Sequence, residues 1–334
     1  MIRVALFSEL YAKRFVLLKI LTGLFLFAVL VGMVMHRIEP DVFATIFDGV
    51  WWAIVTISTV GYGDYVPVSL TGRLLGILLI LTGIGIFSYF ITNLAASTMM
   101  IKEKREKGDG EFKNHGHLLI VGWNERSRRL IRETHQLYPF KDIVMVDETL
   151  QKLPSEYHYI RFIKGSPRED ETLQRANLQL AETVVITANL HIEERLADAN
   201  TILTLIAMRG LAPDLYTIAE IITHDQVKNA KRAGADEVIE ASHHVSMLLM
   251  NSTLYHGLTD VVTKMLDHNH RDHLCLHRLP EALIGKSFAE AVRQETSHDQ
   301  FLLGVRRDKE ATLHPHPADK FFLQKGDELI YVKR

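Results

Sequence analysis

Phe15–Met35 (FVLLKILTGLFLFAVLVGMVM) and Leu74–Ile101 are apolar runs long enough to cross a bilayer, and they constrain what the first 101 residues can fold into. Lys19 is the only charge in the first run and lies near its end, where the side chain can snorkel to the interface. The second run is uncharged and longer than a bilayer requires, so it is predicted to tilt or to project beyond the membrane. Lipid satisfies no backbone N–H or C=O, so both are predicted to be helices. Between them Val42–Ile57 (VFATIFDGVWWAIVTI) is apolar and aromatic but too short to span and return. A re-entrant helix over about 44–57 is expected, with Trp51 and Trp52 either anchoring it at the interface or packing around the segment after it. That segment is glycine-rich: residues 56–64 read TISTVGYGD. Exposed backbone at this depth is tolerated only where it is buried in protein or lines a water-filled passage.

Charge sets the orientation. Arg3, Lys13, Arg14 and Lys19 flank the first span, and Lys102, Lys104, Arg105 and Lys107 follow the second. The connection carries Arg37 and Arg73 against Glu39, Asp41, Asp48 and Asp64. The positive-inside rule places both termini in the cytoplasm, in a multi-pass protein of the cell (inner) membrane. The first run is too long for a signal sequence and lacks a small-residue cleavage site, so a retained span is expected. The 334 residues suffice for two or three domains, and a net charge of −2 points to no nucleic-acid partner. A single cysteine, Cys275, excludes a disulfide framework and suits a reducing cytoplasm.

Thr59-Val60-Gly61-Tyr62-Gly63-Asp64 resembles the selectivity filter of potassium channels, whose signature is TVGYG. The carbonyls of Thr59, Val60, Gly61 and Tyr62, with the Thr59 hydroxyl, can replace the hydration shell of K⁺. Glycine permits the backbone angles that aim successive carbonyls at one axis. One chain supplies one wall, so the resemblance implies a homotetramer. Gly83 and Gly85 in the second span are candidates for a gating hinge, Gly83 first, with close helix packing as the other reading. Phe87–Ser97 would line the cytoplasmic entrance. No arginine-rich span is present, hence no voltage sensor is expected.

Residues 102–115 are charged and contain glycine, and they read as a linker that must transmit force. From residue 116 the pattern is α/β. His117–Val121 is a predicted strand, Ser127–Leu137 a helix, and Ile143–Val146 a strand ending at Asp147. This βαβ unit resembles a dinucleotide-binding fingerprint in degraded form, with Gly122-x-Asn124-x-x-Ser127 for G-x-G-x-x-G. Gly122, Trp123, Asn124, Glu125, Arg126, Ser127, Asp147, Gly165 and Thr187 are the candidate nucleotide-binding residues. The acid at Asp147 favours NAD or an adenine nucleotide over NADP. A vestigial scaffold without ligand is the competing reading.

IVGWNERS, KGSPRED with ETLQRANL, IAE at 218–220 and RAGADEVI at 232–239 make residues 116–240 similar to the RCK domain (regulator of K⁺ conductance). LIGKSFAEA, FLLGVRRD and FFLQKGDELIYV resemble its C-terminal subdomain. The resemblance is to the two-span prokaryotic potassium channels with RCK (TrkA-N/TrkA-C-like) domains. The implied fold is an α-helical pore domain over 15–101, an α/β Rossmann-like lobe over 116–240, a helical connection over 241–265 used for domain pairing, and a small α+β subdomain over 266–334. The family gates through a cytoplasmic RCK ring, in some relatives with four extra domains from an internal start, for which Met99 or Met100 would serve. Calcium-gated members hold Ca²⁺ with carboxylates that here read Thr187, Glu220 and Ile222, so only Glu220 is a candidate ligand, and Ca²⁺ elsewhere stays open. Among the 17 histidines, His268, His270, His273 and His277 cluster, and His314 and His316 bracket Pro315, patterns that suit a metal or exposed loops alike. The competing functions are a channel with a purely structural RCK scaffold, a membrane-tethered NAD-dependent oxidoreductase, and a transporter subunit. No residue constellation for hydride chemistry and no inverted repeat is present.

Overall fold

The computed structural model describes every residue except 1, 271, 297–299, 309, 314–320 and 334; for 2–17 and 310 it describes the backbone alone. His314 and His316, and the side chains of Arg3, Lys13 and Arg14, therefore lie outside the described residues. The chain divides into two compact units: Met1–Glu220 with Asn229–Val238, and Ile221–Lys228 with Ile239–Arg334.

The first unit begins with three helices, α1 (Ile2–Ile38), α2 (Ile46–Ile57) and α3 (Leu70–Lys107). A Thr45–Asp48 capping box starts α2, and Ser69 caps α3. Gly32 of α1 meets Gly49 of α2 backbone to backbone. A Cβ on Gly49 would lie 2.6 Å from the Gly32 carbonyl oxygen, so the crossing requires glycine on both sides. One stripe of α3 is buried, Gly72, Gly76, Leu79 and Gly83, and three of its four members are glycine. Ala28, Met35, Phe43, Trp52, Ala53, Ile57 and Leu79 form the small core of this region. Most other apolar residues of α3 are exposed in a single chain; they need lipid or further copies to cover them. The helix is longer than its apolar run. It continues through Lys102–Lys107, part of the segment expected to be linker, because KEKREK consists of strong helix formers with i,i+4 pairs such as Glu103–Lys107.

The α/β part carries β1 (His117–Val121), α4 (Glu125–Leu137), β2 (Ile143–Asp147), β3 (Arg161–Lys164), α5 (Asp170–Arg175), β4 (Ala181–Ile186), α6 (Glu194–Leu211), β5 (Tyr216–Ile221), α7 (Val227–Arg232) and β6 (Glu237–Glu240). The strand order is β3-β2-β1-β4-β5-β6, and the pairs from β3 to β5 are parallel. Strands buried on both faces explain the continuous apolar runs HLLIV and IVMV. The order reverses between β1 and β4, which opens a crevice at their C-terminal ends. The core beneath is built from Ile120, Ile131, Ile143, Met145, Tyr157 and Phe162 among others.

The second unit contains α8 (Ala241–Leu254) and α9 (Leu258–Leu266), separated at Gly257, then β7 (His273–Arg278), α10 (Phe288–Glu295), β8 (Gln300–Arg307), β9 (Glu310–Leu313) and β10 (Glu328–Lys333). Its sheet is antiparallel in the order β7-β10-β8-β9, over a core of Leu283, Phe288, Leu302, Val305, Leu329 and Tyr331.

Candidate functional site

Two places in the chain are candidates for function. The first follows α2. Thr59, Gly61 and Gly63 have φ of 61°, 59° and 75°, and the residues between them do not lie at positive φ. Such an alternation is the backbone pattern that can turn successive carbonyls to one side of the run. A β-branched residue at positive φ is a strained conformation, and at Thr59 it sits where the carbonyl row begins. The amides of Val60 and Gly61 turn back to the Val55 carbonyl, at 3.1 and 3.3 Å. Both donors are thereby used up inside the protein. The C-terminal end of α2 adjoins this run and has no basic residue in its last turn, so its partial negative charge favours a cation.

Side chains hold this run against α2. Tyr62 stacks on Trp51 with centroids 6.0 Å apart and planes 4° from parallel. The Trp51 indole N–H donates to Asp64 Oδ2 at 2.8 Å, and Tyr65 Oη donates to Asp48 Oδ1 at 3.0 Å. Trp52 is buried against Phe43. Of the two expectations for the tryptophans, Trp51 follows the one of packing against the glycine-rich run, while Trp52 packs into the helical core. On α3 the two glycines differ. A Cβ on Gly83 would lie 2.6 Å from Ile57 Cγ1, whereas one on Gly85 would meet nothing within 4 Å.

The second place is the crevice at the switch point, lined by Gly122, Asp147, Glu148, Thr149, Pro167, Arg168, Thr187 and Asn200 among others. Gly122 lies against Thr187, whose hydroxyl a Cβ would approach to 2.7 Å. Asn124 and Ser127 form a capping box on α4, which uses the amides of both residues. Asn124 Nδ2 then reaches across to Thr187 Oγ1 at 2.9 Å. The side chain at the second glycine position is therefore tied to Thr187, one of the residues that line the crevice, where an unmodified fingerprint has no side chain. Asp147 Oδ1 accepts from the Thr149 amide and hydroxyl and from the Leu150 amide, while Oδ2 accepts only from the Trp123 amide, at 2.7 Å. Among the described residues Oδ2 has no second donor, so Asp147, which lines the crevice, keeps one acceptor position there. Trp123 itself packs edge-on against Tyr157 in the core, and Glu125 faces solvent beside Arg128. Gly165 packs on Thr172 of α5.

Arg168 and Glu148 are absent from the sequence-derived site. Arg168 donates to both Glu148 oxygens at 3.1–3.2 Å, to Asn200 Oδ1 at 2.8 Å and to Ser166 Oγ at 3.1 Å. It is the one cation among the crevice-lining residues. No local pattern in the sequence announces a pairing between a strand end and a loop 20 residues on.

Arg126 points away from the crevice. Its Nη2 donates to the Ala188 carbonyl at 3.0 Å, and its Nε lies 3.1 Å from Glu220 Oε1, an ion pair too poorly angled for a hydrogen bond. Burial pushes the Glu220 carboxyl above its ordinary range, against the opposing pull of the Ala188 amide and Arg126. A carboxylate already committed to an amide and a guanidinium is a poor Ca²⁺ ligand, and the Thr187 hydroxyl donates to the Val121 carbonyl at 2.8 Å. Among the described residues no three His, Cys, Asp or Glu side chains gather at metal-binding distance, His268, His270, His273 and His277 included.

Comparison with known proteins places both halves of the chain in one family. The family profile described as "Ion channel" matches residues 19–99, and that of the TrkA-N domain matches residues 118–241. The putative potassium channel protein YugO of Bacillus subtilis is 34% identical over 86% of this chain and 87% of its own length. The chain belongs to the prokaryotic potassium channels with an RCK domain. The calcium-gated potassium channel TvoK of Thermoplasma volcanium is a second relative, 31% identical over 72% of this chain and 71% of its own. The human SLO3 gating ring shares the fold of the soluble half, with a TM-score of 0.54 at 18% identity, covering 65% of this chain and 44% of that one. The relatives are channels, not enzymes, so the oxidoreductase reading falls. The channel is a membrane protein with a helical pore domain followed by a Rossmann-like lobe and a small antiparallel subdomain.

Proposed function

We propose that this channel is a homotetramer whose K⁺ path is lined by the Thr59–Gly63 carbonyls and whose cytoplasmic RCK ring gates it in response to an adenine nucleotide. The observation that carries the reading is the joining of two geometries by one helix: the alternating backbone at 59–63 and the crevice domain lie at the two ends of α3. Four copies would close the carbonyl wall and cover the exposed apolar face of α3. Both termini lie in the cytoplasm, by the distribution of Lys and Arg around the spans, and the channel sits in the cell membrane. Bending of α3 at Gly83–Gly85 opens the path. Gly85 is the freer position, because Gly83 must first leave Ile57.

The crevice suits a nucleoside with a short phosphate better than NAD. The open acceptor on Asp147 and the Glu148 carboxylate would hold ribose hydroxyls, and Arg168 would meet phosphate charge once it leaves Glu148. Asn124 puts a side chain where the fingerprint has glycine, so a dinucleotide, whose pyrophosphate must run past this place to a second nucleoside, fits less well than a nucleotide that ends at its phosphates and can turn them toward Arg168. A ligand shifts the gate only by its difference in affinity for the two ring states. TvoK is named as calcium-gated, but Thr187, Glu220 and Ile222 do not offer this channel the oxygens for Ca²⁺ at that place.

Titration calorimetry of the detergent-solubilised channel tests the nucleotide reading. ADP is expected to bind at least tenfold more tightly than NAD⁺, and Arg168→Gln is expected to weaken ADP about tenfold, the worth of one charge-assisted hydrogen bond, ~1.4 kcal/mol. Binding of neither ligand to the wild type would reduce the crevice to scaffold.

A further inference from the structure

We propose that Arg175 is the positioning residue that couples the crevice domain to the pore, by clamping the end of α3 to α5 and β3. The inference rests on the soluble half being the gating sensor, but not on the identity of its ligand.

The segment after α3 is bonded to the domain along its length. Helix α3 ends in a Schellman turn. Gly108, at φ 74°, donates to the Arg105 carbonyl, and Asp109 donates to the Lys104 carbonyl at 3.1 Å. A side chain is excluded at Gly108 twice over, by the positive φ and by Lys164 N, which a Cβ would approach to 2.5 Å. The Leu153 amide donates to the Glu106 carbonyl at 2.8 Å, and the Lys164 amide donates to the Gly108 carbonyl at 3.0 Å. Farther along, Arg161 donates to the Glu111 carbonyl at 2.9 Å, the Phe112 amide to the Arg175 carbonyl at 2.8 Å, Asn177 to the Asn114 carbonyl at 2.8 Å, and the Gly116 amide to the Leu180 carbonyl at 2.7 Å. A segment held at this many points is a strap and carries no slack.

Arg175 is its centre. Its Nη2 donates to the Gly108 carbonyl, its Nε and Nη2 both reach the Gly110 carbonyl at 3.3 Å, and its Nη1 donates to the Lys164 carbonyl at 3.0 Å. One planar fork thus joins the helix end, the strap and the sheet edge, which an ammonium cannot do. Arg175 is also the last residue of α5, a helix of 6 residues. The loop before α5 holds Pro167 and Arg168, which line the crevice. Gly165 in that loop is packed on Thr172 of α5, so the loop and the helix move together. A displacement of Arg168 at the crevice therefore reaches the end of α3 through a single helical element.

Full-length wild type, Arg175→Ala and Arg175→Lys, reconstituted and compared by hydrogen exchange and single-channel recording with ADP as the probe, test the clamp. In Arg175→Ala, amides of 108–116 are expected to exchange at least tenfold faster while those of β1 and β4 are unchanged. Its open probability is expected to be the same with and without ADP, with reversal potential, unitary conductance and ADP affinity as in wild type. Arg175→Lys keeps the charge and is expected to recover less than half of the ADP response. It also serves as the assay should the alanine variant fail to assemble. Wild-type exchange in 108–116, or a full ADP response, in an assembled variant overturns the proposal. Should the wild type ignore ADP, the nucleotide reading falls. The clamp is then decided by exchange in 108–116 and by a change in basal open probability: a change in both supports it, and wild-type behaviour in either overturns it.

Discussion

A Gly61→Ala channel is expected to reach the membrane assembled and to pass no K⁺-selective current. Gly61 sits at φ 59° with no heavy atom near its missing Cβ, so the substitution introduces no clash within the chain. The penalty is conformational. An L-residue in the left-handed region costs about 1–2 kcal/mol. In the proposed tetramer this acts four times on one pore, about 4–8 kcal/mol in all against the alternating backbone, beside the strain already held at Thr59. Returning residue 61 to negative φ rotates its peptide and breaks the alternation with Thr59 and Gly63. One carbonyl per subunit then turns away and an N–H faces the ion. The Trp51–Asp64 bond and the Tyr62 stack hold the flanks of the run, so the rest of the pore domain is expected to stay folded. Native gel mobility and K⁺ flux into liposomes check both halves. K⁺ flux at wild-type rate would mean that these carbonyls do not line the path.

Between pH 6.5 and pH 4 the channel is expected to lose about 3 kcal/mol of stability through one side chain, His117. The ring is fully buried at the start of β1, edge-on to Phe112 of the strap with centroids 4.6 Å apart, and neither nitrogen makes a well-aligned hydrogen bond. Burial drives its pKa down to about 4, against weaker opposing contributions from the Ala176 backbone and Asp142. The unfolded chain takes up the proton near 6.5 while the folded chain resists it. The stability from neutral His117 is therefore complete above pH 6.5 and is lost as pH falls toward 4. The carboxylates whose folded pKa is lowered, such as Asp327 and Glu290, add to the loss only at the acid end of that window and below it, as pH falls through their unfolded values. Thermal unfolding of the solubilised channel across these pH values, beside His117→Leu, checks the assignment. The variant's profile is expected to be flatter between 6.5 and 4, and parallel profiles would contradict it.

The fold class was legible because membrane and parallel-sheet environments leave strong marks. An uncharged run of bilayer length admits only a helix, and IVMV ending at Asp147 admits little besides a buried strand. The glycine-rich run was legible because glycine at 61 and 63 answers a backbone requirement seen directly in φ. Features that depend on a distant partner were not. Gly32 and Gly49 look incidental until their helices cross. In residues 102–115 a linker that must transmit force is legible, but not that Lys102–Lys107 continues the helix, nor that Glu106 bonds to Leu153 and Gly108 to Lys164 of β3. In the crevice, the substitution at Asn124 was visible, but not that its amide reaches Thr187, nor that Arg168 closes over Glu148.

The most direct test of the central claim is planar-bilayer recording of the purified channel in asymmetric K⁺ and Na⁺, with ADP added to the cytoplasmic side. A reversal potential near that of K⁺ and an open probability that changes with ADP are expected. A current that does not discriminate K⁺ from Na⁺ would contradict the placement of the filter at Thr59–Gly63. A K⁺-selective current indifferent to ADP would contradict the crevice as the nucleotide sensor.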